Sequence, residues 1–325
     1  MEVKSRNQTL DVVKLIASFL VVFIHVPFGG VAGDVVKALA RVAVPVFFIT
    51  SGFFCCGNDS KTICRKIYKL LAILLFASCL YNLTNIGFGF LSGGMGAVRD
   101  YLSKFLDGQK WFRLLVFNLP FSATRLWFLF ALIYVYLLQL AVNRLHLSHT
   151  TLLVLAAGGL MVHILLGSKL VGVPDYVCRN FLLMGYPFFA LGMVLRRYEN
   201  VLSKVTLPVA GVCFGVGCLL SLSPLVFETT AQISVGTLVM VFAVFALALR
   251  RSEVQYPKFV GMLCKCSLGI YVLHRPVTTV TAIGFGFLGI REGSVLHGLF
   301  LPIAVCILTA ALTLLLMRLQ RRKKH

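Results

Sequence analysis

The stretch Leu10–Gly29, LDVVKLIASFLVVFIHVPFG, decides how the rest of the chain is read. Its length and apolar character match a helix crossing a bilayer core, which takes about 20 residues at about 1.5 Å of rise each. Yet Asp11, Lys14, Ser18 and His25 interrupt its background of Leu, Val, Ile, Phe and Ala. At about 100° per residue these four side chains fall within about 60° of one another and make one polar stripe. Ionisable groups inside a span cost a few kcal/mol each on insertion scales, so the stripe is expected to face a cavity or other helices rather than lipid.

The remainder of the chain is as apolar as this segment. Of 325 residues, 59% are hydrophobic and 13% charged, about half the charged fraction of an ordinary soluble protein. That balance excludes a typical cytosolic enzyme. Lys and Arg number 31 against 11 Asp and Glu, a net charge of +20. A nucleic-acid partner is excluded by distribution, because the basic residues lie in short clusters between long apolar runs. The runs predict an all-α, polytopic membrane bundle of about ten spanning helices. They lie at Leu10–Gly29, Leu39–Cys56, Ile67–Leu91, Leu126–Val142, Thr151–Gly167, Phe181–Leu195, Val205–Ser223, Gln232–Leu249, Ser267–Gly289 and Leu296–Met317.

Basic residues in short loops set orientation. Clusters at Arg65–Lys69, Arg196–Lys204, Arg250–Lys265 and Arg318–Lys324 outweigh those of the alternate loops, which predicts both termini in the cytoplasm. The first run carries Asp11 and Lys14 and has no small-residue cleavage site, so it is expected to stay in the membrane. The chain reads as one transmembrane domain over residues 1–325. Its longest non-spanning stretch, about 92–125, is expected to face outward as an interfacial helix or re-entrant cap, with Trp111, Phe112, Phe117 and Phe121 among basic residues. The ten Cys form no paired framework, and Cys264-x-Cys266 is too short a signal for a metal site, so packing is their expected use and no metal is implied.

A second polar stripe lies in the ninth run, where Ser267, Tyr271, His274, Thr278 and Thr281 share one helix face. Two membrane-embedded His residues on such stripes point to a shared interior pathway; a buried imidazole bonded to a neighbouring helix is the plainer use of His274. Asp11 and Lys14 at i, i+3 also suit a local ion pair. The second run ends in VPVFFITSGFF (Val44–Phe54), whose small pair Ser51-Gly52 would let helices approach closely. Trp127 opens the fourth run, the usual place of an interfacial aromatic. Arg65, Lys66 and Lys69 obey the positive-inside rule and would also suit a phosphate group.

Taken in order, these segments resemble the membrane acyltransferase-3 family. Arg6-Asn7 through Leu10-Asp11 and Lys14, then ten residues and His25, is similar to that family's first helix. VPVFFITSGFF is similar to its second, LWFLFALIYVYLL (Leu126–Leu138) to its central Trp-Phe-Leu helix, and SLGIYVLHRPV (Ser267–Val277) to its late Tyr-x-x-His segment. One departure stands out: Lys14 occupies a position where many members carry Arg, and Lys cannot make the bidentate fork of a guanidinium.

The resemblance implies a ten-helix bundle of a bacterial plasma membrane. It would take an acyl group, usually acetyl, from cytoplasmic acetyl-CoA and pass it to a hydroxyl of a cell-envelope carbohydrate or lipid-linked acceptor. On that basis Arg6, Arg65, Lys66 and Lys69, with Lys14, are expected at the coenzyme phosphates, and Ser51 and Trp127 on the acceptor side. His25 is expected to act as general base or transient acyl carrier, an imidazole being suited by an unperturbed pKa of about 6.5. Asp11 would orient Lys14, while His274 and Tyr271 supply hydrogen bonds or oxyanion stabilisation. The competing reading is a multi-pass carrier or flippase for an envelope intermediate or small solute. Composition fits it equally, but no pair of corresponding interrupted helices marks two repeats.

Overall fold

The computed structural model describes residues 7–167, 173–226 and 233–322. Among the described residues every regular element is a helix. The chain runs through α1 (Gln8–His25), α2 (Gly30–Ala40), α3 (Ala43–Phe53), the long α4 (Ser60–Ser103), α5 (Gly108–Phe117) and α6 (Trp127–Arg144). It continues with α7 (His149–Leu166), the single turn α8 (Asp175–Cys178), and α9 (Tyr186–Arg197), which follows a π-turn at Phe181–Gly185. After α10 (Glu199–Leu202) come α11 (Leu207–Val226), α12 (Val235–Arg250), α13 (Lys258–Cys264), α14 (Ser267–Phe287) and α15 (Val295–Arg322). Five helical stretches among the described residues are long and apolar enough to cross a membrane: Gln8–His25, Gly30–Phe53, Ser60–Leu106, Thr124–Arg144 and Val295–Arg322. Shorter apolar helices occupy Thr150–Leu166, Leu207–Ser223 and Val235–Arg250.

Local chemistry explains the main boundaries. The Asn7 side chain accepts a hydrogen bond from the Leu10 amide at 3.0 Å and caps α1. Pro27 ends the same helix, since it lacks an amide proton and disfavours helical backbone at Val26. Asp59 caps α4 through the Thr62 amide, and the Thr62 hydroxyl and amide together hold its carboxyl below the ordinary aspartate range. Ser234 and Thr237 form a reciprocal capping box at the start of α12.

Two expected boundaries move. The second apolar segment starts at Gly30 rather than Leu39, because Gly30 adopts a φ of +66° that lets the chain reverse directly after Pro27. Lys37 therefore lies in α2, and Arg41 at the break before α3, rather than in an outer loop. The third apolar run becomes α4, which extends well past Leu91 to Ser103, bending at Gly94, where φ 62° and ψ −155° interrupt the helical backbone. The segment 92–125 thus begins as the last turns of α4 and continues through the exposed helix α5.

The chain divides into two compact units, Met1–Thr50 with Leu195–His325, and Ser51–Val194. In the first, α1 packs against α2, α12, α13, α14 and α15, while α11 packs on α12 and α2. The N-terminal turn of α1 is tied to the end of α12 and to the α12–α13 connection. Asn7 donates to the Ala248 carbonyl at 3.1 Å, Thr9 donates to the Arg251 carbonyl at 2.7 Å, and the Tyr256 amide donates to the Gln8 side chain at 3.0 Å. In the second unit α4 packs on α6, and the π-turn on α6 and α7.

Close backbone approach holds α11 to α12. A Cβ added at Gly236 would run into the backbone of Ser221, Gly217 and Leu220, which no rotamer change can relieve. We expect Gly236→Leu to lower the thermal midpoint of the detergent-solubilised protein by several degrees, overpacking costing about 1–3 kcal/mol. An unchanged midpoint would show that the two helices can part.

Candidate active site

The polar stripe of α1 and that of α14 meet inside the first unit. The His25 and His274 rings stack nearly parallel, with centroids 5.3 Å apart and planes 8° from each other. His25 is the last residue of α1 and is half-buried, whereas His274 is 1% exposed at mid-helix. His274 Nδ1 lies 2.6 Å from the Tyr271 carbonyl. A carbonyl can only accept, so Nδ1 carries the proton and Nε2 is the acceptor nitrogen of the neutral ring. The Tyr271 ring, itself buried, sits 6.1 Å from that of His274.

Two imidazolium cations at this separation would repel strongly in a medium of low dielectric. The stack therefore places two imidazoles where a charge on one bears directly on the other. Such an arrangement can take a proton from a reacting group and keep it inside the protein.

The rest of both stripes is largely satisfied locally. Ser18 is fully buried and donates to the Leu15 carbonyl at 2.7 Å. On α14, Ser267 donates to the Cys264 carbonyl at 2.8 Å, Thr278 to that of His274 at 2.6 Å and Thr281 to that of Val277 at 2.8 Å. Hydroxyls bonded back to carbonyls three or four residues earlier make a polar face compatible with burial and leave the imidazoles as its reactive groups. Asp11 and Lys14 form an ion pair of 2.6 Å, with side-chain exposures of 9% and 29%. The aspartate thus orients Lys14 and not His25, about 21 Å of helix rise away.

Two hollows against α1 differ in character. One, of about 570 Å³, is lined by Val13, Ile16, Leu20, Phe214, Met240 and Leu247 among other apolar side chains, and it lies away from the polar stripe. The other, of about 600 Å³, opens at the foot of the stripe and has Asp11 in its wall.

The family profile described as an acyltransferase domain matches residues 7–318, nearly the whole chain. The chain belongs to the acyltransferase-3 family. No curated protein and no solved structure matches it.

The remaining candidates of this acyltransferase lie in the second unit, except Arg6, which lies outside the described residues, as does Gln232 at the start of the eighth apolar run. Lys66 donates to the Phe54 carbonyl at 2.8 Å and sits 5.7 Å from the Tyr136 ring centroid, so it staples the start of α4 to the α3–α4 turn and to α6. Arg65 reaches the Thr62 hydroxyl at 3.5 Å, and Lys69 is exposed. Ser51 hydrogen-bonds the Tyr136 side chain. Trp127, at the start of α6, is 9% exposed. Sequence reasoning placed both His residues on polar faces but could not see their rings in contact. It overlooked the cleft at the foot of α1, because basic residues at an inner helix end are expected for topology alone.

Proposed function

We propose that this acyltransferase moves an acyl group, acetyl being the simplest, from cytoplasmic acyl-CoA to a hydroxyl of a cell-envelope carbohydrate or lipid-linked acceptor. The observation that carries the reading is the His25–His274 stack at the far end of the α1 stripe. On this reading the chain lies in a bacterial plasma membrane as ten spans with both termini inside. The phosphates of coenzyme A stay at the inner face, and the thin pantetheine arm follows the stripe so that its thioester reaches His25.

The residues then have distinct tasks. His25 takes the proton of the acceptor hydroxyl as the oxygen attacks the thioester carbonyl. The tetrahedral oxyanion is met by a donor on α14, for which Tyr271 is the candidate. The C–S bond breaks, and the departing thiolate recovers the proton from the imidazolium. His274, fixed by its bond to the Tyr271 carbonyl, holds the His25 ring in plane and shares its charge. Lys14 supplies positive charge along the path of the donor, and Asp11 fixes its position. Ser51 and Trp127 remain proposed acceptor-side residues, the first held by Tyr136.

The reading is tested by incubating purified protein with acetyl-CoA labelled in the acetyl group and a panel of glycans. Loss of thioester with label on a glycan is the expected result. Solute flux into liposomes with the thioester intact would reject it in favour of a carrier.

The Lys14 part of the reading has its own test. Lys14→Arg is expected to keep at least the original activity. Lys14→Ala alone strands the buried Asp11 carboxylate, so the informative variant is the double change Asp11→Asn with Lys14→Met, which removes the pair without leaving a lone charge. It should raise KM for acetyl-CoA about tenfold with kcat little changed, as loss of one charge-assisted contact predicts. An unaltered KM would make the pair purely structural.

A further inference from the structure

The second hollow against α1 has no task in the scheme above. It is a cleft of about 600 Å³ whose walls come from the first turns of α1 (Gln8, Asp11, Val12), the Gln255–Lys258 connection, α13 and the last turns of α15. Three basic side chains from three separate segments line it: Lys258 at the start of α13, Lys265 just after its end, and Arg321 on α15. The acidic residue in its wall, Asp11, is already paired with Lys14 at 2.6 Å. Glu253, close by in sequence, is not part of the lining. Tyr256 contributes an aromatic ring, and its hydroxyl lies 3.4 Å from that of Thr9. The N-terminal end of α1, with its partial positive charge, opens into the same space.

We propose that this cleft seats the phosphate-bearing nucleotide end of the acyl donor, with Lys258, Lys265 and Arg321 around the phosphates and the Tyr256 ring available to stack on a purine. The proposal rests on acyl-CoA being the donor. It assigns the phosphates to residues of the first unit, which also holds the stacked His pair, in place of Arg65 and Lys66, whose side chains already engage Thr62 and the Phe54 carbonyl. The geometry is consistent along one element. Asp11 is both a wall residue of the cleft and the first member of the stripe, and about 21 Å of α1 rise leads from it to His25. Three exposed basic groups in a cleft whose one acidic lining residue, Asp11, is already paired are suited to a mobile polyanion that must bind and leave at each turnover.

Steady-state kinetics with two donors test the assignment. Lys258→Ala, Lys265→Ala and Arg321→Ala should each raise KM for acetyl-CoA about tenfold with kcat kept, Arg321→Glu should raise it further, and coenzyme A itself should bind the variants more weakly in calorimetry. The penalty should vanish with S-acetylpantetheine, which has the arm and the thioester but no nucleotide. Wild-type affinity for coenzyme A should fall with added salt, and less steeply in the variants. Equal penalties for both donors, or none for either, would overturn the proposal. So would a penalty seen only in nanodiscs of anionic lipid and absent in zwitterionic lipid, which would mark the cleft as a lipid-headgroup site. If the wild type consumes acetyl-CoA and the variants match it, the cleft assignment alone falls. If the wild type neither binds coenzyme A nor consumes acetyl-CoA, the donor reading falls and takes the cleft with it.

Discussion

His25→Ala yields a folded, membrane-inserted protein whose acyl transfer drops by at least a hundredfold. The magnitude follows from removing the group that takes the acceptor proton, a step worth about 10²–10⁴ in rate. Folding should survive because His25 ends α1, is half-buried, and is followed at once by Val26 and Pro27, which terminate the helix whatever residue precedes them. The neighbour is a different case. His274 is 1% exposed in the middle of α14, so alanine there would leave a cavity, and His274→Gln is the cleaner change. A glutamine still donates to the Tyr271 carbonyl but cannot share a proton with His25. It should keep substrate KM, lower kcat, and displace the acid limb of the pH–rate profile. Full activity in His25→Ala would end the mechanism. Full activity with an unmoved profile in His274→Gln would reduce the stack to packing.

How far these features can be seen without coordinates depends on what kind of information each one needs. The α1 helix and its stripe follow from spacing alone, because Asp11, Lys14, Ser18 and His25 recur near the helical period against an apolar background. The local Asp11–Lys14 pair is equally a matter of spacing, and the structure contains it. Contact between His25 and His274 is not. It joins residues about 250 positions apart, and two polar stripes on separate helices do not say which stripes face each other. The early start of α2 was hidden for a local reason. Apolar length carries the first run through Pro27 to Gly29 and starts the second at Leu39, whereas a single residue at positive φ, Gly30, is enough to begin the next helix. Lys258, Lys265 and Arg321 were legible only as charge. Their convergence needs the ties that bring α1, α13 and α15 to one end.

The second large effect is on the scaffold. Gly52 belongs to the small pair noted in the second apolar segment, and in the structure a Cβ at this position would strike the Phe189 carbonyl, carbonyl carbon and Cα. All three are backbone atoms of α9, and Phe188 and Phe189 are fully buried, so α9 cannot shift locally to make room. Gly52→Ala should therefore cost about 1–3 kcal/mol, and Gly52→Leu more, enough to leave little folded protein after detergent extraction. Thermal unfolding followed by intrinsic fluorescence and monodispersity on size exclusion report this directly. The activity readout separates scaffold from chemistry. The folded fraction of Gly52→Ala should keep the KM for acetyl-CoA of the unmodified protein, its total rate falling only as the folded fraction falls, whereas His25→Ala should show the opposite pattern of normal stability with lost turnover. The adjacent Ser51–Tyr136 hydrogen bond supplies the control, since Ser51→Ala removes a hydroxyl without adding volume and should shift the midpoint far less. A Gly52→Leu protein with an unshifted midpoint would mean that α3 and α9 do not depend on this contact.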